Sequence, residues 1–206
     1  MSEITVIFGC MFSGKSSHLL RIIKEHIVLS RSIFAVSHVL DDRYSQTPVT
    51  EDDMSIISTH DKAQYPCIAA SSLGFLLDKD LLDTDLLIIE EGQFFNDIRG
   101  VVLALAAKYT HLKIVIATLD LNYNCEPWDS VAKLILEADV KIHARAICKD
   151  CNTGTGNAAF SHLKSNTQAG KPNESKPTES ILVGNSDLYE ALCRKHYLQK
   201  NAHRLM

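Results

Sequence analysis

The chain lacks any apolar run approaching the roughly 18 residues that a membrane-spanning helix needs. Its first apolar stretch, Ile4 to Phe8, is far too short, and it lacks the basic flank and long apolar segment of a signal peptide. A soluble, cytoplasmic protein with no membrane partner is therefore expected. A surplus of positive charge is also missing: 21 Lys and Arg stand against 25 Asp and Glu, a net charge of -4. A surface devoted to gripping nucleic acid is thus not expected. No internal repeat and no N-K-x-D run is present, so a guanine-specific switch lacks its signature.

What is there suits a packed protein. The 206 residues are 46% hydrophobic and 22% charged, enough for one sizeable domain with or without a small appendage. Six cysteines in an intracellular chain point to metal ligands or buried thiols rather than disulfides. Ile4 to Phe8, Ile33 to Val36, Leu86 to Ile89 and Ile114 to Ala117 read as buried strands. Lys15 to Leu29, Asp97 to Tyr109 and Val131 to Ala138 read as helices. Alternating strands and helices predict an α/β fold, a parallel sheet with helices on both faces. The pattern changes after His143, which suggests an α/β domain over residues 1–143 and a second lobe over 144–206. Ser161 to Ser180 reads as a long mobile loop, with order resuming at Ile181 to Val183.

Gly9-Cys10-Met11-Phe12-Ser13-Gly14-Lys15-Ser16 fits G-x-x-x-x-G-K-[ST] without a gap, between a predicted strand and a predicted helix. Backbone amides of such a loop wrap phosphate oxygens, and the helix N-terminus adds favourable partial charge. Lys15 is expected to bridge the β- and γ-phosphates, and Ser16 to place its hydroxyl on Mg²⁺. Glu90 and Glu91 end a predicted parallel strand, where ligands of such sheets collect. One acid there can hold Mg²⁺ and the other can accept a proton; the alternative is a solvated pair at a loop start. Cys148-Lys149-Asp150-Cys151 and Cys193-Arg194-Lys195-His196 each supply two donors from a tight turn. Together Cys148, Cys151, Cys193 and His196 suit a closed, structural Zn²⁺ site, with a redox pair or buried thiols as the alternative.

Order and spacing of these elements resemble the type II thymidine kinases, the family of cytosolic vertebrate and many bacterial enzymes. Gly9 to Ser16 is similar to the family's G-P-M-F-[SA]-G-K-[ST], and Ile89 to Phe95 to its I-D-E-x-Q-F-F. Leu119-Asp120 with Tyr123 and Pro127-Trp128 resembles L-D-x-x-F-x-x-x-P-F; Ile181 to Tyr189 resembles V-I-G-G-x-x-x-Y, closed by Cys193 to Tyr197. The resemblance implies a P-loop, RecA-like domain with a zinc-containing lasso, and transfer of the γ-phosphoryl group of ATP to the 5′-hydroxyl of thymidine. It makes Glu91 the catalytic acid, with Lys15 stabilising charge. Glu90, Glu91, Gly92 and Gln93 fall on the nucleotide side, and Arg43 takes a lesser role there. Met11, Phe94, Leu119, Tyr123 and Trp128 would wall the thymine pocket. Ser161 and Tyr189 would adjoin the base, and the backbone around Val183 and Gly184 would meet its edge. A lasso loop covering the nucleoside, a homotetramer and inhibition by thymidine triphosphate are further implications. Taken alone, Phe94, Tyr123 and Trp128 also read as ordinary core.

Several positions depart from the pattern. Cys10 stands for Pro, Glu90 for Asp, Tyr123 and Trp128 for Phe, and Asn185 for the second Gly; Thr118 stands where Gly or Ala is common. None removes a reacting group. A P-loop ATPase working on nucleic acid with a zinc binding module, and a catalytically silent binding protein, are the competing readings. Retention of Lys15, Ser16 and Glu91 weighs against the silent protein, and the net charge of -4 against the nucleic-acid motor.

Overall fold

The computed structural model describes residues 1–41, 54–58, 63–151, 154, 156–164 and 186–202. β1 (Glu3–Phe8), α1 (Lys15–Val28) and β2 (Ile33–His38) form where the sequence predicts them. β3 (Met54–Ser58), β4 (Gln64–Ala70) and the short α2 (Phe75–Asp78) follow. Next come β5 (Leu86–Ile89), a 3-10 turn over Gly92–Phe94, α3 (Ile98–Lys108), β6 (Lys113–Thr118) and α4 (Asp129–Glu137). β7 (Val140–His143), β8 (Phe160–Leu163), β9 (Tyr189–Leu192) and α5 (Arg194–Lys200) complete the described elements.

Seven strands form one sheet in the order β3-β4-β2-β5-β6-β1-β7, and β8 and β9 form a second. The large sheet is parallel except at one edge, where β3 runs antiparallel to β4. The expected parallel sheet is present over the other six strands, and β3 is an antiparallel addition at its edge. The few residues between Ser58 and Gln64 allow only a hairpin, because a parallel return needs a crossover of about a dozen residues. Strand alternation divides the core between two faces. Leu87, Ile89, Ile114 and Ile116 pack with Val101, Val102 and Leu105 of α3 and Leu134 of α4. Leu86, Ile88, Val115 and Ala117 face the other way, onto Leu19, Leu20, Ile22 and Ile23 of α1. All four residues of β5 are 0% exposed, which is why a continuous apolar run is stable there. Each such side chain taken from water contributes about 1.5–3 kcal/mol.

The central strands bring three loops to one edge. β1 pairs in parallel with β6, with Phe8 opposite Thr118, and β6 pairs in parallel with β5, with Ile89 opposite Ile116. The segments after β1, β5 and β6 therefore leave the sheet side by side. The second sheet closes over the same edge. Phe160 pairs with Leu192 and Leu163 with Tyr189, so the loop expected to start at Ser161 begins as a strand. The Ile181 to Val183 run lies outside the described residues, as does most of the expected loop. Among the described residues no helix is long and apolar enough to cross a membrane.

On the far side of β1 the chain leaving β7 crosses the start of the glycine loop. The Ala144 amide donates to the Phe8 carbonyl at 2.8 Å. A Cβ at Gly9, where φ is 148°, would sit 2.1 Å from the Ala144 carbonyl oxygen. That neighbour is backbone and cannot rotate away. Gly9→Ala should therefore destabilise the protein by about 1–3 kcal/mol or more, read as a lower midpoint in urea denaturation.

Candidate active site and metal centre

Gly9 to Ser16 joins β1 to α1. Gly14 holds φ 80° and ψ 21° immediately before the helix, and a Cβ there would meet nothing within 4 Å. The requirement at Gly14 is thus conformational, not spatial. Phe12 also takes a left-handed conformation, at φ 64°. The Lys15 ammonium folds back over the loop and donates to the Cys10 carbonyl at 2.9 Å. The Ser13 hydroxyl oxygen is buried with no hydrogen-bond partner among the described residues. A buried hydroxyl beside a lysine and a helix N-terminus fits an acceptor-rich anion such as a phosphate.

The acids at the end of β5 meet this loop. The Ser16 hydroxyl donates to Glu90 Oε1 at 2.5 Å, across the sheet edge. Glu90 is 3% exposed. Glu91 follows in the left-handed region, at φ 52° and ψ 45°. For a residue with a Cβ this costs on the order of 1–3 kcal/mol and persists only where the surroundings enforce it. Those surroundings are specific. A Cβ on Gly92 would lie 2.9 Å from both Ile116 and Ile98, so the chain must pass there without a side chain. Gln93 donates from its amide nitrogen to Glu91 Oε2. Its amide oxygen accepts from the Leu119 N–H at 2.9 Å and the Thr118 hydroxyl at 3.2 Å. Glu91 is thereby fixed to the end of β6.

Aromatic side chains gather beyond the acids. Trp128 meets Phe94 edge-on, with centroids 6.2 Å apart and planes at 85°. Tyr123 lies 6.4 Å from Tyr189. Burial, with Tyr123 adding to it, pushes the Tyr189 hydroxyl up to about 12, so it stays neutral at ordinary pH. Tyr123 sits on a tight hairpin in which Leu121 pairs with Pro127. The Asn122 side chain closes it, accepting from the Asn124 and Glu126 amides at 2.9 and 3.0 Å. From the other side Ser161 Oγ accepts the Met11 N–H at 3.0 Å, so β8 is bonded to the glycine loop. Cys10 donates its thiol to the Ala158 carbonyl at 3.5 Å; burial pushes that thiol up, which keeps it neutral.

Cys148, Cys151, Cys193 and His196 converge, with their donor atoms all within 4.8 Å of one another. His196 Nδ1 lies 3.5 Å from Cys148 Sγ and 3.4 Å from the sulfurs of Cys151 and Cys193. Cys151 and Cys193 are 3.6 Å apart, sulfur to sulfur. A regular tetrahedron with Zn–S near 2.3 Å and Zn–N near 2.0 Å has edges of about 3.5–3.8 Å. The donor set therefore fits zinc in both chemistry and spacing, and four protein ligands leave no open position for catalysis. Burial alone would raise the Cys148 thiol. Hydrogen bonds from the Cys193 backbone, the His196 ring and the Asp150 and Cys151 backbone together outweigh it and bring the thiol down to about 6, which favours the thiolate a metal requires. Asn157 Oδ1 accepts the Cys148 N–H at 3.2 Å and steadies the first turn.

A thymidine kinase family model matches residues 2–197. The chain belongs to the thymidine kinase family. It is 33% identical over 199 residues to thymidine kinase a of Arabidopsis thaliana, covering 95% of this chain and 74% of the plant protein. It is 30% identical over 198 residues to the thymidine kinase of Yaba monkey tumor virus, covering 96% of each. The thymidine kinase of Acanthamoeba polyphaga mimivirus is 28% identical over 198 residues, covering 94% of this chain and 80% of the viral protein.

In this member of the thymidine kinase family the sheet edge gathers most of the residues singled out from sequence. Lys15 and Ser16 open α1 after the glycine loop, and Glu90, Glu91 and Gln93 follow β5. Arg43, Val183 and Gly184 lie outside the described residues. Sequence reasoning passes over His38 and Asn157, marks Thr118 only as a departure from the family pattern, and names Tyr197 only as the end of a motif. His38 ends β2 with its ring 4.7 Å from Phe95 and 5.5 Å from Phe94, and burial lowers its pKa, so it packs there as a neutral ring. Only a periodicity signal placing it on a buried strand could have found it. Purified protein should carry one equivalent of zinc by atomic absorption. His196→Ala should cost more than the roughly 10–100-fold in metal affinity that loss of a supporting group costs, and should lower the melting temperature.

Proposed function

We propose that this chain phosphorylates thymidine, transferring the γ-phosphoryl group of ATP to the 5′-hydroxyl to give thymidine monophosphate and ADP. The observation that carries this reading is the convergence of Lys15, the bonded Ser16–Glu90 pair and the restrained Glu91 at one sheet edge, in a chain of the thymidine kinase family.

The roles follow from position and chemistry. Gly9 to Ser16 cradles the triphosphate, with Cys10, Met11 and Phe12 contributing backbone amides and Ser13 a buried hydroxyl. Lys15 leaves the Cys10 carbonyl to meet the phosphates, where its charge offsets the negative charge of the transferring group. The Ser16 hydroxyl and Glu90 carboxylate are hard oxygen donors already in contact, and they suit Mg²⁺. When bound, that ion supplies charge neutralisation on the phosphates. Glu91 accepts the proton of the 5′-hydroxyl as the new O–P bond forms and the bond to the ADP oxygen breaks. Gln93 holds that carboxylate in place, and Gly92 lets the chain approach Ile98 and Ile116. Met11, Phe94, Leu119, Tyr123, Trp128, Ser161 and Tyr189 surround the nucleoside, with the edge-to-face pair Phe94 and Trp128 supplying aromatic surface to the base. Arg43 near the nucleotide, and Val183 and Gly184 at the base edge, complete the site.

The zinc lobe is structural in this scheme. We take residues 1–143 as the nucleotide-binding domain and 144–206 as the zinc-bearing domain, with its lasso excluding water from the reaction. Likeness to the cytosolic enzymes supports a cytoplasmic homotetramer, and the net charge of -4 supports a protein without a nucleic-acid partner.

Labelled ATP with each deoxynucleoside tests the reaction, and phosphate should appear on thymidine. Glu91→Gln should lower kcat by about 10²–10⁴-fold with little change in KM for ATP. Lys15→Ala should lose both nucleotide affinity and turnover. Label transfer that survives in Glu91→Gln would exclude that residue as the proton acceptor.

A further inference from the structure

Tyr197 follows the metal ligand His196 directly, lies on α5 and is buried in the lobe's apolar cluster with Phe160, Ala191 and Leu192. It is 5% exposed. Its ring stacks on Phe160 of β8, with centroids 5.0 Å apart and planes at 29°, and meets the edge of His162. Its hydroxyl does something that packing does not require: it donates to the Tyr123 carbonyl at 2.9 Å. Tyr123 sits on the hairpin that also ends in Trp128, and its ring faces Tyr189.

That hairpin has its own internal closure. Asn122 accepts two of its amides, and the Asn122 N–H donates to the Glu126 carbonyl at 2.9 Å. These bonds fix the hairpin's shape but not where it stands relative to β9. Leu121 and Cys125 pack the hairpin against the cluster that holds Ala191 and Leu192 of β9, and the Tyr197 hydroxyl adds a directional bond from the helix beside the metal to the hairpin backbone. Lys200, one turn further along α5, bonds Glu190 of β9 at 2.6 Å and Asp150 of the first metal turn at 3.0 Å. The same helix therefore holds the metal turn, β9 and the hairpin together.

We propose that Tyr197 is a positioning residue for nucleoside binding, setting the distance between the Tyr123–Trp128 hairpin and Tyr189 through its bond to the Tyr123 carbonyl. The proposal rests on the thymidine kinase reading and adds to it a residue outside the pocket. Tyr197 touches no substrate. Its ring shares an apolar cluster with Cys10 of the glycine loop, whereas its hydroxyl bonds the hairpin on the base side, so removing the hydroxyl alone tests that side.

Tyr197→Phe keeps the ring and its stack on Phe160 and deletes only the hydroxyl. Losing one such bond should raise KM for thymidine about three- to tenfold, with kcat and KM for ATP within about twofold of wild type. Trp128 is the sole tryptophan, so its emission reports thymidine binding without turnover, and the dissociation constant should rise by the same factor. Zinc content and melting temperature are measured on the same samples. Unchanged KM and dissociation constant for thymidine would overturn the proposal. So would a parallel rise in both KM values with loss of zinc, which marks a purely structural tie. Wild-type protein that turns over no thymidine would instead remove the proposed function itself, whatever the variant does.

Discussion

The hydrogen bond from the Ser16 hydroxyl to Glu90 joins the two halves of the chemistry, at 2.5 Å. One partner opens the helix after β1 and the other ends β5, with β6 between them in the sheet. Their meeting depends on parallel register across three strands, and that register depends on strands buried on both faces. The continuous apolar runs of β5 and β6 are thus what set a hydroxyl, a carboxylate and a lysine within reach of one another. Glu91 follows from the same placement. Its left-handed backbone is held by Gly92 packed on Ile98 and Ile116 and by Gln93 bonded to the end of β6.

A second layer of contacts ties the metal-bearing lobe to this edge. Cys10 of the glycine loop is buried in the same apolar cluster as Phe160, Leu192 and Tyr197. Ser161 bonds the Met11 amide, and Tyr197 bonds the hairpin after β6. The lobe therefore rests on both the phosphate side and the base side. A closed Cys₃His site fits this role, because it rigidifies two chain turns distant in sequence without offering a reactive position.

Much of this was legible in the sequence, and the failures have physical causes. The central strands were readable because complete burial demands unbroken β-branched and aliphatic runs, as in Leu86 to Ile89. β7 was not: Val140–His143 lies at a sheet edge, mostly exposed, so Lys141 and His143 are tolerated and no apolar run marks it. β3 alternates exposed and buried over only five residues, and β4 contains Pro66, which speaks against a strand in any local reading. Ser161 sits in a polar stretch, yet it alternates with Phe160 and His162, which face Tyr197. The glycine loop, the paired acids and the four metal donors were legible because their chemistry dictates residue type and spacing. Gln93 was placed on the nucleotide side from sequence. Its bonds to Glu91, Thr118 and Leu119 arise from strand adjacency, which no local pattern encodes.

The central claim is that a nucleoside hydroxyl lies beside Glu91 while the triphosphate occupies the loop from Gly9 to Ser16. A crystal structure with thymidine and a non-hydrolysable ATP analogue measures this directly. The 5′ oxygen should fall within hydrogen-bond distance of the Glu91 carboxylate, about 2.6–3.2 Å, with the γ-phosphate in line beyond it. Thymidine bound away from Glu91, or a triphosphate outside the glycine loop, would contradict the claim.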